Sequence, residues 1–167
     1  MVNTHTSKIV RKKKTHKRGT IKKVKFNLHK NQKFNFDVSQ TKTKESKIVK
    51  NFLKTLDMIK VYHWKTKSFA VHQATETLHE RLSKNIDQFV EVLMGKNEQR
   101  IHLLDHHLHL YDVNSKKEFR EKLYDFREFL IDLERTFDPS KDSDLFTIRD
   151  EMLVHINQAL YLLTMDK

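Results

Sequence analysis

Two glycines and a single proline stand in a chain of 167 residues. Tight turns and left-handed corners draw on these residues, so a fold built from repeated hairpins has no means of forming. The composition argues against β-sandwiches, barrels and collagen, and for long helices with few breaks. The apolar pattern agrees from residue 43 onward. Ile48, Phe52, Leu56, Ile59 and His63 follow one another at intervals of four and three, the period of one helix stripe, and predict a helix over about 43–66. Ser68 is placed to cap a second helix that runs to about residue 94 and stops at Gly95. Residues 97–113 then form a connection with room for a short helix. Ser115 and Glu118 make a capping box for a third helix, with the stripe Phe119, Leu123, Phe126, Leu130, Leu133 and Phe137. Asp138-Pro139 breaks the chain, and Pro139 suits the first turn of a fourth helix. That helix runs to about residue 164 on Leu145, Ile148, Met152, His155, Ala159 and Leu162. Four amphipathic helices with one longer middle connection predict an all-α bundle.

Charge divides the chain in two. Residues 1–50 hold 16 Lys and Arg against Asp37 and Glu45, a net +14, while residues 51–167 sum to −3. A self-repelling run cannot bury a core, so residues 1–42 are expected to be a basic, mostly disordered arm and 43–167 the bundle. The arm's densest cations are Arg11, Lys12, Lys13, Lys14, Lys17 and Arg18, followed by Lys22 and Lys23. They are the candidate DNA contacts, neutralising phosphate without reading bases. A solubilising tail is the plainer alternative, and an anionic membrane surface the minor one. Within the arm, Ile21, Val24, Phe26 and Leu28, then Phe34, Phe36 and Val38, suggest a small hairpin or an extended arm laid on a neighbour. The chain has no cysteine, so thiolate metal sites and thiol catalysis are out. No apolar run spans a membrane and no secretory leader is visible, so an intracellular protein is expected. Lys and Asn usage points to an AT-rich genome, bacterial or viral.

The residues with chemical capacity gather on the first two helices. His72 and Glu76 are four apart, as are Asp87 and Glu91, and all four fall within roughly 100° around the second helix. They border its apolar stripe of Leu78, Leu82, Phe89 and Leu93. Along the axis Glu76 and Asp87 are separated by about 16 Å, too far for one metal centre. Two antiparallel copies would bring the first pair of one chain to the second pair of the other, which points to a site divided across a two-fold interface.

The combination of His63-Trp64, Phe69-Ala70-Val71-His72, Glu76, Asp87 and Glu91 resembles the signature of the Dps mini-ferritins, the DNA-protecting members of the ferritin-like superfamily. The resemblance covers about 48–94; the later helices match in length and order only. The segment between Trp64 and His72 is shorter than in that family, and Glu76 stands where the family has Asp. The resemblance implies a ferritin-like four-helix bundle with a short helix between its second and third helices and a basic N-terminal arm. It implies a dodecameric cage that oxidises Fe(II), by peroxide in preference to oxygen, and stores the ferric product. His63, His72 and Glu76 would hold iron from one subunit, with Asp87 and Glu91 from its neighbour, in a di-iron or mononuclear centre at the two-fold interface. Trp64 would lie near the metal as a catalytic electron donor. The partners would be DNA and further copies of the chain, with no membrane and no small organic substrate. The location would be the cytoplasm, on the nucleoid, or a virion for a viral host.

Other readings of the same residues stand beside this one. Glu76-x-x-His79 matches half of the ligand set of larger di-iron bundles, and helix-borne Asp150, Glu151 and His155 lack the spacing to complete it. His155 reads as a core histidine, and Trp64 as packing. His102, His106, His107 and His109 with Asp105 read as a solvated face, with transition-metal binding as the sharper alternative. The functional alternatives are a structural DNA-compacting bundle without iron chemistry and a monomeric carboxylate-bridged di-iron enzyme.

Overall fold

The structure is a computed structural model that describes residues 38–104 and 107–165, all within one unit of the chain, 36–167. The basic run and the predicted hairpin over 21–38 lie outside the described residues but for Val38 itself. Four helices, α1 (Val38–Lys65), α2 (Phe69–Asn97), α3 (Lys116–Ile131) and α4 (Ser143–Met165), account for nearly all regular structure, with no strand among the described residues. The first helix starts earlier than the predicted residue 43.

Side-chain links fix the direction of each helix. At one end of the bundle Lys65, closing α1, is bonded to Asp112 just ahead of α3. At the other end Asn97, closing α2, meets Glu45 early in α1, and Lys96 meets Asp144 at the start of α4. Asn85 and Arg81 of α2 reach Glu151 and Gln158 of α4 in antiparallel order. Hence α1 and α2 are antiparallel, α2 and α3 parallel, and α3 and α4 antiparallel. The parallel pair requires residues 98–115 to travel back along the bundle.

The short helix expected in the connection does not form among its described residues. The 29 residues of α2 extend about 43 Å. Residues 98–115 reach about 60 Å fully extended but only about 27 Å as a helix, so most of the connection has to run extended. It is pinned along the way by Leu104 N–H donating to Ser46 Oγ, by Tyr111 under Lys54 Nζ, and by buried Val113. A short 3₁₀ turn, Asp132–Arg135, instead follows α3.

The core runs the length of the bundle. Phe52 of α1 is fully buried, with Phe89, Phe126 and Phe129 meeting it edge-on at centroid distances of 5.3, 6.2 and 6.0 Å. The α3 stripe is buried as predicted from Phe119 to Leu133. Ser68 and Ser115 cap α2 and α3 as expected, accepting from Val71 N–H and Glu118 N–H. The reciprocal half of the capping box is displaced by one residue, because Glu118 accepts from Asn114 N–H.

Three predicted details differ. Gly95 lies inside α2, and Glu98 takes the left-handed position at φ 51°. Pro139 sits in a turn, not in α4: Asp138 Oδ1 accepts from Ser140 N–H and Asp142 Oδ2 from Asp138 N–H, and the helix begins only at Ser143. The predicted α4 stripe holds at Leu145, Ile148, Met152 and Ala159, but the buried face also takes in Ile156, Leu160 and Leu163, while Leu162 is exposed and His155 lies at the margin.

Candidate metal half-site at the α1–α2 corner

Helix α1 ends at Lys65 and α2 starts at Phe69, so the chain reverses within three residues. Ser68 makes the reversal possible by capping α2 from an extended backbone. The reversal sets His63, in the last turn of α1, against His72, in the first turns of α2. Their rings stack at 3.8 Å between centroids, inclined by 26°.

The main chain orients both imidazoles. His63 Nδ1 lies 3.1 Å from the carbonyl oxygen of His72, and His72 Nδ1 lies 3.2 Å from that of His63. A carbonyl oxygen can only accept, so each Nδ1 carries the proton. In the neutral form of each ring the lone pair is then on Nε2, and neither Nε2 takes part in the hydrogen bonds given for these two side chains. Thr75, buried beside them, donates to the carbonyls of Val71 and His72 and accepts from His63 Nδ1–H at 3.2 Å. Metal-binding histidines are commonly fixed in this way, by donation of the other ring N–H to a carbonyl. Sequence reasoning misses Thr75; the one available signal is a polar residue inside the apolar stripe Val71, Leu78, Leu82.

The same bonds have a structural consequence. The carbonyl of His63 belongs to the last turn of α1, where no following helical N–H exists to meet it. Thr66 N–H meets the carbonyl of Tyr62, and His72 Nδ1–H meets that of His63. The pair is thus a corner clamp, and its two Nε2 atoms make it a candidate for metal binding.

Glu76 is one turn beyond His72, half-buried, and accepts from Gln73 at 3.4 Å. Asp87 and Glu91 are exposed far along the same helix. The structure brings His63 and His72 together and does not bring Asp87 and Glu91 to them. Among the described residues no three His, Asp or Glu side chains are grouped so as to hold a metal. Trp64 is about 100° round α1 from His63; it is 69% exposed while His63 is 5% exposed, and its ring lies 5.9 Å from Lys60 Nζ.

His79 is half-buried on α2. Burial first, then Lys60 and His63, holds its imidazole below its ordinary pKa, against the opposing pull of Asp57 and Glu80. On α4, His155 is also kept neutral-leaning, by burial and then by Arg81, with Glu151 opposing. Its Nδ1 is buried without a hydrogen-bond partner. His102, His107 and His109 are exposed on the extended connection; His106 and Asp105 lie outside the described residues, as do all eight candidate DNA contacts from Arg11 to Lys23.

A family of unknown function, DUF5856, matches residues 63–163. The chain belongs to that family. The DUF5856 match begins at His63, takes in every candidate ligand, and leaves the basic arm outside. No curated protein and no solved structure matches the chain. Within the described residues, no helix is long and apolar enough to cross a membrane.

Proposed function

We propose that this chain is an iron-oxidising bundle of the mini-ferritin kind, with its metal centre completed between two copies and a basic arm that holds DNA. The observation that carries the reading is the pair of Nδ1–H donations that leaves two Nε2 lone pairs, on His63 and His72, one turn from Glu76. Imidazole and carboxylate together suit Fe(II), which is the substrate here. The helix order adds support, because one long crossover between parallel second and third helices is the ferritin-like arrangement.

In this reading His63 and His72 bind Fe(II) through Nε2, and their fixed rings keep the donors in place as the metal charge rises. Glu76 supplies negative charge that favours Fe(III) over Fe(II). Asp87 and Glu91 of the partner subunit supply the remaining carboxylates across a two-fold axis. Two Fe(II) give up one electron each to peroxide, which takes up two protons and leaves as two waters. Assembly into a closed cage stores the ferric product, and the arm binds duplex DNA without sequence preference, in the cytoplasm beside the DNA it protects.

The corner clamp favours a second reading, a DNA-compacting bundle in which the histidines only secure the α1–α2 turn. One experiment separates the two. A variant with His63→Gln and His72→Gln and a variant with Asp87→Asn and Glu91→Gln are each expected to lose rapid Fe(II) oxidation by peroxide. Unfolding and reassembling an equal mixture makes about half the dimers mixed, each with one intact site of two, so about a quarter of the wild-type rate should return. Particle size and helical content are followed throughout. Recovery near zero in well-formed assemblies removes Asp87 and Glu91 from the site, and absence of oxidation in the wild-type protein establishes the clamp alone.

A further inference from the structure

The bundle end that carries the α1–α2 corner also carries two large aromatic side chains in water. Trp64 is 69% exposed and Phe69 is 78% exposed. Neither has a structural task. Trp64 lies outside the core, which His63 and Tyr62 enter beside it. Phe69 is the first residue of α2 after its cap Ser68, while the positions that brace a helix start are the residue before the cap and the fourth helical residue, here Lys67 and His72. Leaving each ring in water forgoes the free energy that burying it would gain. Two exposed aromatic rings five residues apart, on either side of one sharp turn, offer ring faces to a binding partner.

The surrounding charge selects the partner. Lys60, Lys65 and Lys67 flank the two rings within ten residues, and Lys116 and Lys117 open α3 at the same end of the bundle. Asp57, Glu76, Asp112 and Glu118 are the nearby acids, and Asp112 is bonded to Lys65. Lysine is depleted in the cores of protein–protein contacts. Exposed aromatic faces between lysines are the pattern that grips unpaired nucleobases, with rings stacking on bases and ammonium groups meeting phosphates. Bases in a duplex are already stacked on one another and offer no free face.

We propose that the α1–α2 corner binds single-stranded nucleic acid, with bases stacked on Trp64 and Phe69 and phosphates held by Lys60 and Lys67. This site is separate from the arm, and its test reads strand binding, not iron oxidation. It gives the bundle a way to hold melted or nascent strands that phosphate contacts alone would not distinguish from duplex.

Trp64 is the chain's only tryptophan, so emission excited selectively from tryptophan reports this corner. The full chain is titrated with oligothymidylate of about 12 nucleotides and with an abasic strand of the same length and charge, in about 0.2 M salt. Oligothymidylate should quench most of the emission. The abasic strand, which can still engage the arm, should leave it nearly unchanged. Phe69→Ala should weaken oligothymidylate binding at least about fivefold while leaving abasic binding as it was. Because Phe69 is outside the core, the variant keeps its fold, which circular dichroism verifies. Equal quenching by the two strands overturns the proposal, as does an unchanged preference in Phe69→Ala. A free protein with blue-shifted emission that reddens on dilution overturns it as well, since a second copy would then cover the corner.

Discussion

His63 and His72 each donate the Nδ1 proton to the main-chain carbonyl of the other, at 3.1 and 3.2 Å. The two bonds tie the end of α1 to the start of α2 and set the tautomer of both rings in one arrangement. His72→Phe keeps a flat ring over His63 and deletes one donor, leaving the carbonyl of His63 without its partner at a helix end. A loss of about 1–2 kcal/mol in urea unfolding is expected. An unchanged midpoint would show that water replaces the bond and that the clamp contributes nothing to stability.

Glu98 offers a test of local strain. It holds φ 51° while its N–H faces the carbonyls of Gly95 and Met94. The left-handed region costs a side chain about 1–2 kcal/mol. Glycine relieves that strain but loses about 0.5–1 kcal/mol to the freedom of the unfolded chain. Glu98→Gly should therefore stabilise the protein by about 0.5–1 kcal/mol, read as a higher denaturation midpoint at unchanged slope.

Features set by neighbours along the chain are legible in the amino-acid sequence. Ser68 and Ser115 read as caps because a hydroxyl reaches the N–H three residues ahead whatever the rest of the chain does. The α3 stripe is readable for a similar reason, since its one apolar face has a simple period. Gly95 misleads because glycine usually ends a helix, yet a Cβ there would meet nothing within 4 Å and the helix simply continues. The α4 stripe misleads because the helix packs on both α2 and α3, so its apolar face is broad and its centre ill defined by spacing alone. The extended connection follows from a distance that only the assembled bundle sets. The ligand pattern can be read as spacing, but the stacking of His63 on His72 depends on the sharpness of the turn between them.

The arm is expected to dominate duplex binding. Since α1 begins at Val38, the truncation that tests it removes residues 1–36 and spares the helix. Affinity for duplex DNA should collapse in a gel-retardation assay, with helical content nearly intact, and full-length binding should weaken steeply with added salt. Residual affinity for single strands is expected, through Trp64 and Phe69. A truncated protein that retards duplex as well as the full chain would remove the arm from the DNA-binding role.

His155 should make the bundle acid-sensitive. Burial, and then Arg81 across the α2–α4 contact, holds its pKa below the ordinary 6.5, while Glu151 pulls the other way. The native state thus binds its proton less readily than the unfolded chain does. Stability from the neutral ring is complete above 6.5 and is lost as pH falls from there through the lower native value. Between about pH 8 and about pH 5.5 the melting temperature of the wild-type protein should fall more than that of His155→Gln, which has no proton to take up. His79, displaced in the same direction, remains in both proteins and cancels in the difference. Arg81→Gln should lessen the fall by removing the nearby cation, although it also breaks the bond from Arg81 to Gln158 and so lowers stability at every pH. Parallel declines for wild type and His155→Gln would mean that the ring gains no proton in this range, and the buried Nδ1 would then have to be met by water.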